Sequence, residues 1–166
     1  MYDQIDYQGR SLLIKQQNAD FRNDYFNDRV ESARVEGTCR WLLYQDVNFL
    51  GQESLINAYS YDSPLSWGGS GNRVSSARAL PPAGTEAIVL FQHINFQGRM
   101  LVLYDSHDNL PAIDFNDQLS SFIVTGGNWR LYQHTGYGGS SATYGPGDYA
   151  NRPGIGNDQL SSVKKL

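Results

Sequence analysis

Two six-residue stretches carry the densest oxygen chemistry of the chain: Asn116-Asp117-Gln118-Leu119-Ser120-Ser121 and Asn157-Asp158-Gln159-Leu160-Ser161-Ser162. Amides, carboxylates and hydroxyls are hard donors. A calcium ion takes six to eight such oxygens from side chains, backbone carbonyls and water. The same stretch also reads as a plain turn. Asn and Asp accept turn conformations, serine hydroxyls bond nearby amides, and the apolar fourth residue, Leu119 or Leu160, drops into a core. Departing forms stand in the first half, Asn27-Asp28-Arg29-Val30-Glu31-Ser32 and Gly71-Asn72-Arg73-Val74-Ser75-Ser76.

Catalytic chemistry is harder to assemble. The three histidines are His93, His107 and His134, and His93 and His134 occupy one repeated position. Repetition explains them without catalysis. There is no Gly-x-Ser-x-Gly nucleophile motif and no Cys/His spacing for structural zinc. The chain therefore reads as non-enzymatic, with no catalytic residue to name.

The elements that must position the polar turns repeat as well. Residues 91–98 read Phe-Gln-His-Ile-Asn-Phe-Gln-Gly: an aromatic, four residues, an aromatic, one residue, glycine. The frame returns at Tyr2/Tyr7/Gly9, Tyr44/Phe49/Gly51 and Tyr132/Tyr137/Gly139. A chain that doubles back with one ring over its turn needs a glycine able to take φ > 0. Four copies at near-equal spacing form an internal repeat of about forty residues. Apolar β-rich runs precede or follow the octets, as at Arg40–Leu43, Ser11–Ile14 and Met100–Tyr104, and favour strands over helices. Only Met1 precedes the first octet, so the first strand of repeat one is expected to be clipped and to fray. A short helical turn is expected at 20–25, and closing strands at 32–35 and 121–124.

Octet, strand, polar excursion, polar turn, strand: this order, with both signatures in every repeat, resembles the βγ-crystallin family of Greek-key proteins. Four motifs in two pairs resemble its two-domain form, and the fullness of the polar turns points to a non-vertebrate, sponge-type member. The resemblance implies an all-β fold of two Greek-key β-sandwich domains, two motifs each, every motif lending a strand to its partner's sheet. The expected boundaries are 1–80 for the first domain (motifs 1–38 and 39–80) and 86–166 for the second (motifs 86–126 and 127–166). Residues 81–85 link them, where Pro81-Pro82 stiffens the connector.

The resemblance also implies a ligand set. In the family, the residue after the first aromatic and the first turn residue give backbone carbonyls. The third turn residue gives a side-chain oxygen, and the fifth residue of the partner motif a hydroxyl. Carried onto the second domain, one Ca²⁺ site would use Gln92, Asn116, Gln118 and Ser161. The other would use Gln133, Asn157, Gln159 and Ser120. None is a carboxylate, so binding should be weak, on the order of 10⁻⁵–10⁻³ M. The first domain departs from the pattern. Its equivalents are Asn27, Arg29, Glu31, Gly71, Arg73 and Ser75, and a guanidinium is a cation without an acceptor. Both of its sites read as disabled, with Arg29 and Arg73 as candidates to take the cation's place.

Composition bounds the alternatives. With 166 residues, a formal charge of −4 and pI near 5.2, the chain offers no basic patch for nucleic acid or anionic membrane. Cys39 is alone, so no internal disulfide forms. No leader pattern or membrane-length apolar run is visible, and a cytoplasmic monomer, its two domains free to pair, is expected. Two competing functions stay open. One is a metal-independent, lens-type structural crystallin. The other is a carbohydrate- or protein-binding module using aromatics that break the repeat, such as Tyr25, Tyr59 or Tyr61. The reading adopted is a structural protein that binds Ca²⁺ through its second domain, the ion stabilising the fold.

Overall fold

A computed structural model of the chain describes residues 1–68, 72–151, 154–156 and 159–166. Its local structure begins in the octets. In each, the residue before the second aromatic and that aromatic itself are left-handed: Asp6/Tyr7, Asn48/Phe49, Asn95/Phe96 and Gly136/Tyr137, with the octet glycine left-handed too. A bulky ring at φ > 0 is unfavourable alone. Here the bend brings the two rings together edge-on or tilted, centroids 5.8, 5.8, 5.5 and 5.6 Å apart. That geometry suits aromatic quadrupoles.

A buried serine holds the bend. Ser32, Ser76, Ser121 and Ser162 are each the last residue of a polar turn, and all are fully buried. Each hydroxyl accepts the N–H of its octet's second aromatic at 3.0–3.1 Å. Each also donates to the carbonyl two residues after the first aromatic, at 2.5–2.7 Å. The sequence shows serine recurring at this place, but not that it clamps a hairpin some 25 residues upstream.

The strands of the first half are β1 (Gln17–Asn18), β2 (Ala33–Arg34), β3 (Arg40–Asp46), β4 (Leu50–Ile56), β5 (Ser60–Tyr61) and β6 (Ser76–Leu80). Those of the second are β7 (Ile88–His93), β8 (Gln97–Leu103), β9 (Ser121–Val124), β10 (Trp129–His134), β11 (Gly138–Tyr144), β12 (Gly147–Tyr149) and β13 (Ser162–Lys165). Sheet orders are β1-β6-β3-β4, β2-β5, β12-β9-β7-β8 and β11-β10-β13, every pair antiparallel. The exchange of strands between motifs is explicit. β1 of repeat one edges repeat two's sheet, β5 pairs back onto β2, and β12 of repeat four edges repeat three's sheet. His107 of repeat three bridges Val163. This is the all-β Greek-key arrangement, and no helix longer than a 3₁₀ turn occurs among the described residues. None is long and apolar enough to cross a membrane.

Two sequence expectations shift. The run 11–14 is not a strand: Ser11 makes an isolated bridge to Tyr2, and Leu12 exchanges hydrogen bonds with Met1. The helical turn at 20–25 is a 3₁₀ turn, Phe21–Asp24, whose first turn is capped by Asp20 Oδ1 accepting from the Arg22 N–H at 3.0 Å. Equivalent turns at Pro64–Trp67 and Leu110–Ile113 were not anticipated. The closing strand 121–124 stands as expected, and that at 32–35 shortens to Ala33–Arg34.

The chain divides into two units, Met1–Pro82 and Ala83–Leu166. Phe21, Phe26, Val30, Leu43 and Ile56 lie at the centre of the first core. Phe115, Leu119, Phe122, Trp129 and Leu160 lie at the centre of the second. The fourth residue of each polar turn, Val30, Val74, Leu119 or Leu160, is buried in its unit's core, so each turn is pinned from beneath.

Candidate metal site

Backbone register places the fifth turn residue. Tyr2 pairs with Ser32, Tyr44 with Ser76, Phe91 with Ser121 and Tyr132 with Ser162. One residue on, the first aromatic's carbonyl accepts the N–H of Glu31, Ser75, Ser120 or Ser161 at 2.9–3.1 Å. Gln92 therefore sits opposite Ser120, and Gln133 opposite Ser161.

The polar turn then leans across to the other repeat of its unit. Asp117, left-handed at φ 49°, donates its N–H to Leu160 O at 3.1 Å. Asp28, at φ 52°, does the same to Val74 O at 3.2 Å. These bonds carry side chains together. Ser161 Oγ donates to Asn116 Oδ1 at 2.9 Å, and Asn116 Nδ2 donates to Asp117 Oδ2 at 2.7 Å. Gln118 Nε2 donates to Asp114 O at 3.2 Å, tying that side chain to the end of the preceding 3₁₀ turn.

Of the first expected site, Asn116 and Ser161 are in contact. Gln92 is held elsewhere: it faces Ser120, and its Oε1 accepts from the Arg99 N–H at 3.4 Å. Of the second, Gln133 Nε2 donates to Gln159 Oε1 at 2.8 Å. Asn157 lies outside the described residues. The register thus regroups the hairpin residues, setting Gln133 with Ser161 and Asn116, and Gln92 with Ser120. The reason is that Gln92 and Ser120 face each other across one antiparallel pair of their own repeat, whereas the polar turn reaches the partner repeat.

The first unit builds the same crossing with different atoms. Ser75 Oγ donates to Asp28 Oδ1 at 3.1 Å, and Asn27 Nδ2 donates to Asp28 Oδ2 at 2.7 Å. Asn27 Oδ1 is sealed from solvent without a hydrogen-bond partner among the described atoms. Asp28 is a contact that sequence reading passed over; the signal was the carboxylate recurring at the second turn position. Arg29 and Arg73 are exposed and make no hydrogen bond or ion pair among the described residues. Glu31 is placed by its backbone bond to Tyr2, and Gly71 lies outside the described residues.

The donors suit a hard cation. A hydroxyl and an amide oxygen, Ser161 Oγ and Asn116 Oδ1, meet across the two repeats, and both are of the donor type calcium takes. No group of three or more His, Cys, Asp or Glu gathers among the described residues, so such a site would carry little ligand charge. His93 and His134 lie over the hairpin glycines; a Cβ on Gly98 or Gly139 would stand 2.7 Å from the imidazole Cδ2. The perturbed groups near the turns are on the sheet. Burial pushes the Tyr44 phenol up and the Arg78 guanidinium down, and Arg78 lies 3.7 Å over the Phe49 ring. Tyr25 and Tyr59, two of the aromatics that break the repeat, are exposed, whereas Tyr61 is buried.

Comparison with known proteins gives one family. A model described as Beta/Gamma crystallin matches residues 1–80 and 87–166. Gamma-crystallin F of Bos taurus is 28% identical over 166 residues, 99% of this chain and 94% of that protein. Gamma-crystallin D of Rattus norvegicus is 29% identical over 167 residues, with the same coverage. Among solved structures, geodin, a beta-gamma crystallin from Geodia cydonium, superposes with a TM-score of 0.72 at 23% identity. That match covers 92% of this chain and 90% of geodin.

Proposed function

The chain belongs to the beta/gamma crystallin family, and on that premise we propose that it is a non-enzymatic structural protein whose second unit binds Ca²⁺ weakly, the ion stabilising the fold. One observation carries the reading: Ser161 Oγ and Asn116 Oδ1, from different repeats, are 2.9 Å apart. A cation taking both oxygens, with the carbonyls of Asn116 and Gln133 and the Gln118 side chain, would cross-link the two motifs. Ser120, Gln92, Gln159 and Asn157 supply the same donor types for a second ion. The chain's own part is to bring neutral oxygens together before the ion arrives; water completes the shell.

Thermal unfolding of the full chain in EDTA and in several millimolar Ca²⁺ tests the reading. A rise in melting temperature that Ser120→Ala/Ser161→Ala removes supports it. An unchanged melting temperature leaves the metal-independent structural role. A second reading rests on Tyr25 and Tyr59, 79% and 69% exposed. Rings that leave the repeat and face solvent suit stacking on a glycan or a protein surface. Glycan binding that survives EDTA and is lost in Tyr25→Ala/Tyr59→Ala would favour it.

A further inference from the structure

The two units differ in how their sheets are filled at one corner. In the second unit, Phe122 pairs with Tyr149 across β9 and β12, and Trp129 pairs with Tyr144 across β10 and β11. The Phe122 ring stacks on Tyr149 at 4.5 Å and meets Tyr144 edge-on at 4.7 Å. The same registers in the first unit read Ala33 with Tyr61 and Trp41 with Ile56. Ala33 stands where Phe122 does, and Ile56 where Tyr144 does. Two rings are replaced by a methyl and a branched aliphatic chain.

A cavity of about 440 Å³ lies here, with Ala33, Trp41, Ile56, Leu12 and Ile14 in its wall. Leu12, Ile14, Val35 and Cys39 pack on the core but remain partly accessible. Cavities of this size with mostly apolar walls are the usual form of a small-ligand site. The charged side chains of its lining, Lys15, Arg34 and Glu36, are all exposed. The balance is cationic. Arg34 is occupied, its Cζ 4.0 Å above the Tyr7 ring, whereas no hydrogen bond or ion pair among the described residues engages the Lys15 ammonium.

We propose that this cavity binds a single-chain carboxylate amphiphile of the fatty-acid class, its alkyl chain against Ala33, Trp41 and Ile56 and its carboxylate on Lys15. The apolar wall selects the chain and the unpaired ammonium selects the charge. The site lies in the first unit and does not depend on calcium.

Dodecanoate is the probe, titrated into the full chain in EDTA. Cys39 is the sole cysteine and lines the cavity, so its rate of reaction with a thiol reagent reports occupancy. Dodecanoate is expected to slow that reaction saturably and to shift the amide resonances of Leu12, Ile14 and Ile56. Ala33→Phe, which restores the ring present at Phe122, is expected to weaken binding about tenfold or more, a loss of about 1.4 kcal/mol. Lys15→Gln is expected to weaken dodecanoate about two- to fivefold, as for an exposed ion pair, and to leave dodecanol unchanged. The resonance shifts require no variant, so a misfolded Ala33→Phe chain does not remove the test. Shifts scattered over both units, or dodecanol bound as tightly as dodecanoate by the wild type, would overturn the proposal. So would shifts of these same residues on raising protein concentration without ligand, because the occupant would then be a second copy.

Discussion

Ser161 and Ser162 are neighbours in sequence and do unrelated work. Ser161 Oγ reaches 45 residues back to Asn116 Oδ1, in the other repeat. Ser162 Oγ turns the opposite way and locks its own hairpin, accepting from Tyr137 N and donating to His134 O. Adjacent residues of an extended chain face opposite sides, so a single Ser-Ser pair serves the contact between repeats and the hairpin clamp separately. Ser162→Ala should remove both hydrogen bonds of a fully buried hydroxyl, to the partly buried Tyr137 N–H and the His134 carbonyl, costing about 2 kcal/mol with or without calcium. Ser161→Ala removes one hydrogen bond and should cost about 1 kcal/mol in EDTA. Denaturant unfolding of both variants in EDTA checks the contrast; equal losses would contradict it.

Calcium should act as a staple on the second unit. The unfolded chain holds the two turns apart and has little affinity, so stabilisation follows mass action. It should reach about 2.7 kcal/mol for each independent site when free Ca²⁺ is a hundredfold above the dissociation constant. Unfolding curves recorded against calcium concentration should show this logarithmic rise. Amide exchange should slow near 116–121 and 159–163 and leave 27–32 unchanged. Slowing confined to the first unit would place the ion in the wrong half.

The turn of the first unit tests what disables a site. Ser75 Oγ already meets Asp28 Oδ1 there, as Ser161 Oγ meets Asn116 Oδ1 in the second unit. On the proposed reading, the positive charge of Arg29 and Arg73 is what keeps a cation out. Arg29→Gln/Arg73→Gln should therefore create calcium-dependent stabilisation of the first unit, read as a second heat in calorimetry. If the double variant takes up no more calcium than the wild type, charge is not the obstacle.

How much of this was legible follows from distance along the chain. The octets, the buried fourth turn residues and the doubled Greek keys could be read, because each is a local pattern repeated four times. The serine clamp could not: its partners lie about 25 residues upstream, and repetition marks Ser32 and Ser162 without saying what they touch. The pairing of Gln92 with Ser120 was missed for a related reason. Sequence supplies donors, whereas register decides which donors face each other. Asp28 escaped because the ligand pattern drew attention to the third and fifth turn positions and not to the second.

Glycine positions of equal φ should differ in cost. Gly51 and Gly37 lie at φ +78° and +72°. A Cβ on Gly51 would stand 2.6 Å from Asp46 Oδ2 and 3.2 Å from Asp46 N, whereas one on Gly37 meets nothing within 4 Å. Gly37→Ala should thus cost only the left-handed penalty, about 1–2 kcal/mol. Gly51→Ala should cost more, because the Asp46 side chain must turn away and its backbone must give by a few tenths of an ångström. Urea midpoints of the two variants decide it, and equal losses would show that the Asp46 side chain swings aside at no cost.

Glu53 makes stability of the first unit depend on pH. It lies on β4 opposite Tyr44, and burial raises its carboxyl above the ordinary value of 4.5. The fold therefore prefers the protonated form. Its contribution is fully present below the unfolded pKa and is lost as pH rises through the higher folded pKa. At pH 7 the charged carboxylate is a liability that an isosteric amide lacks. Glu53→Gln should accordingly raise the melting temperature at pH 7, and the gain should shrink as pH falls and vanish below about 4. Thermal unfolding of both proteins across that range measures the difference. A variant less stable than the wild type at pH 7 would mean that the carboxylate is held in the fold by a favourable contact stronger than its desolvation.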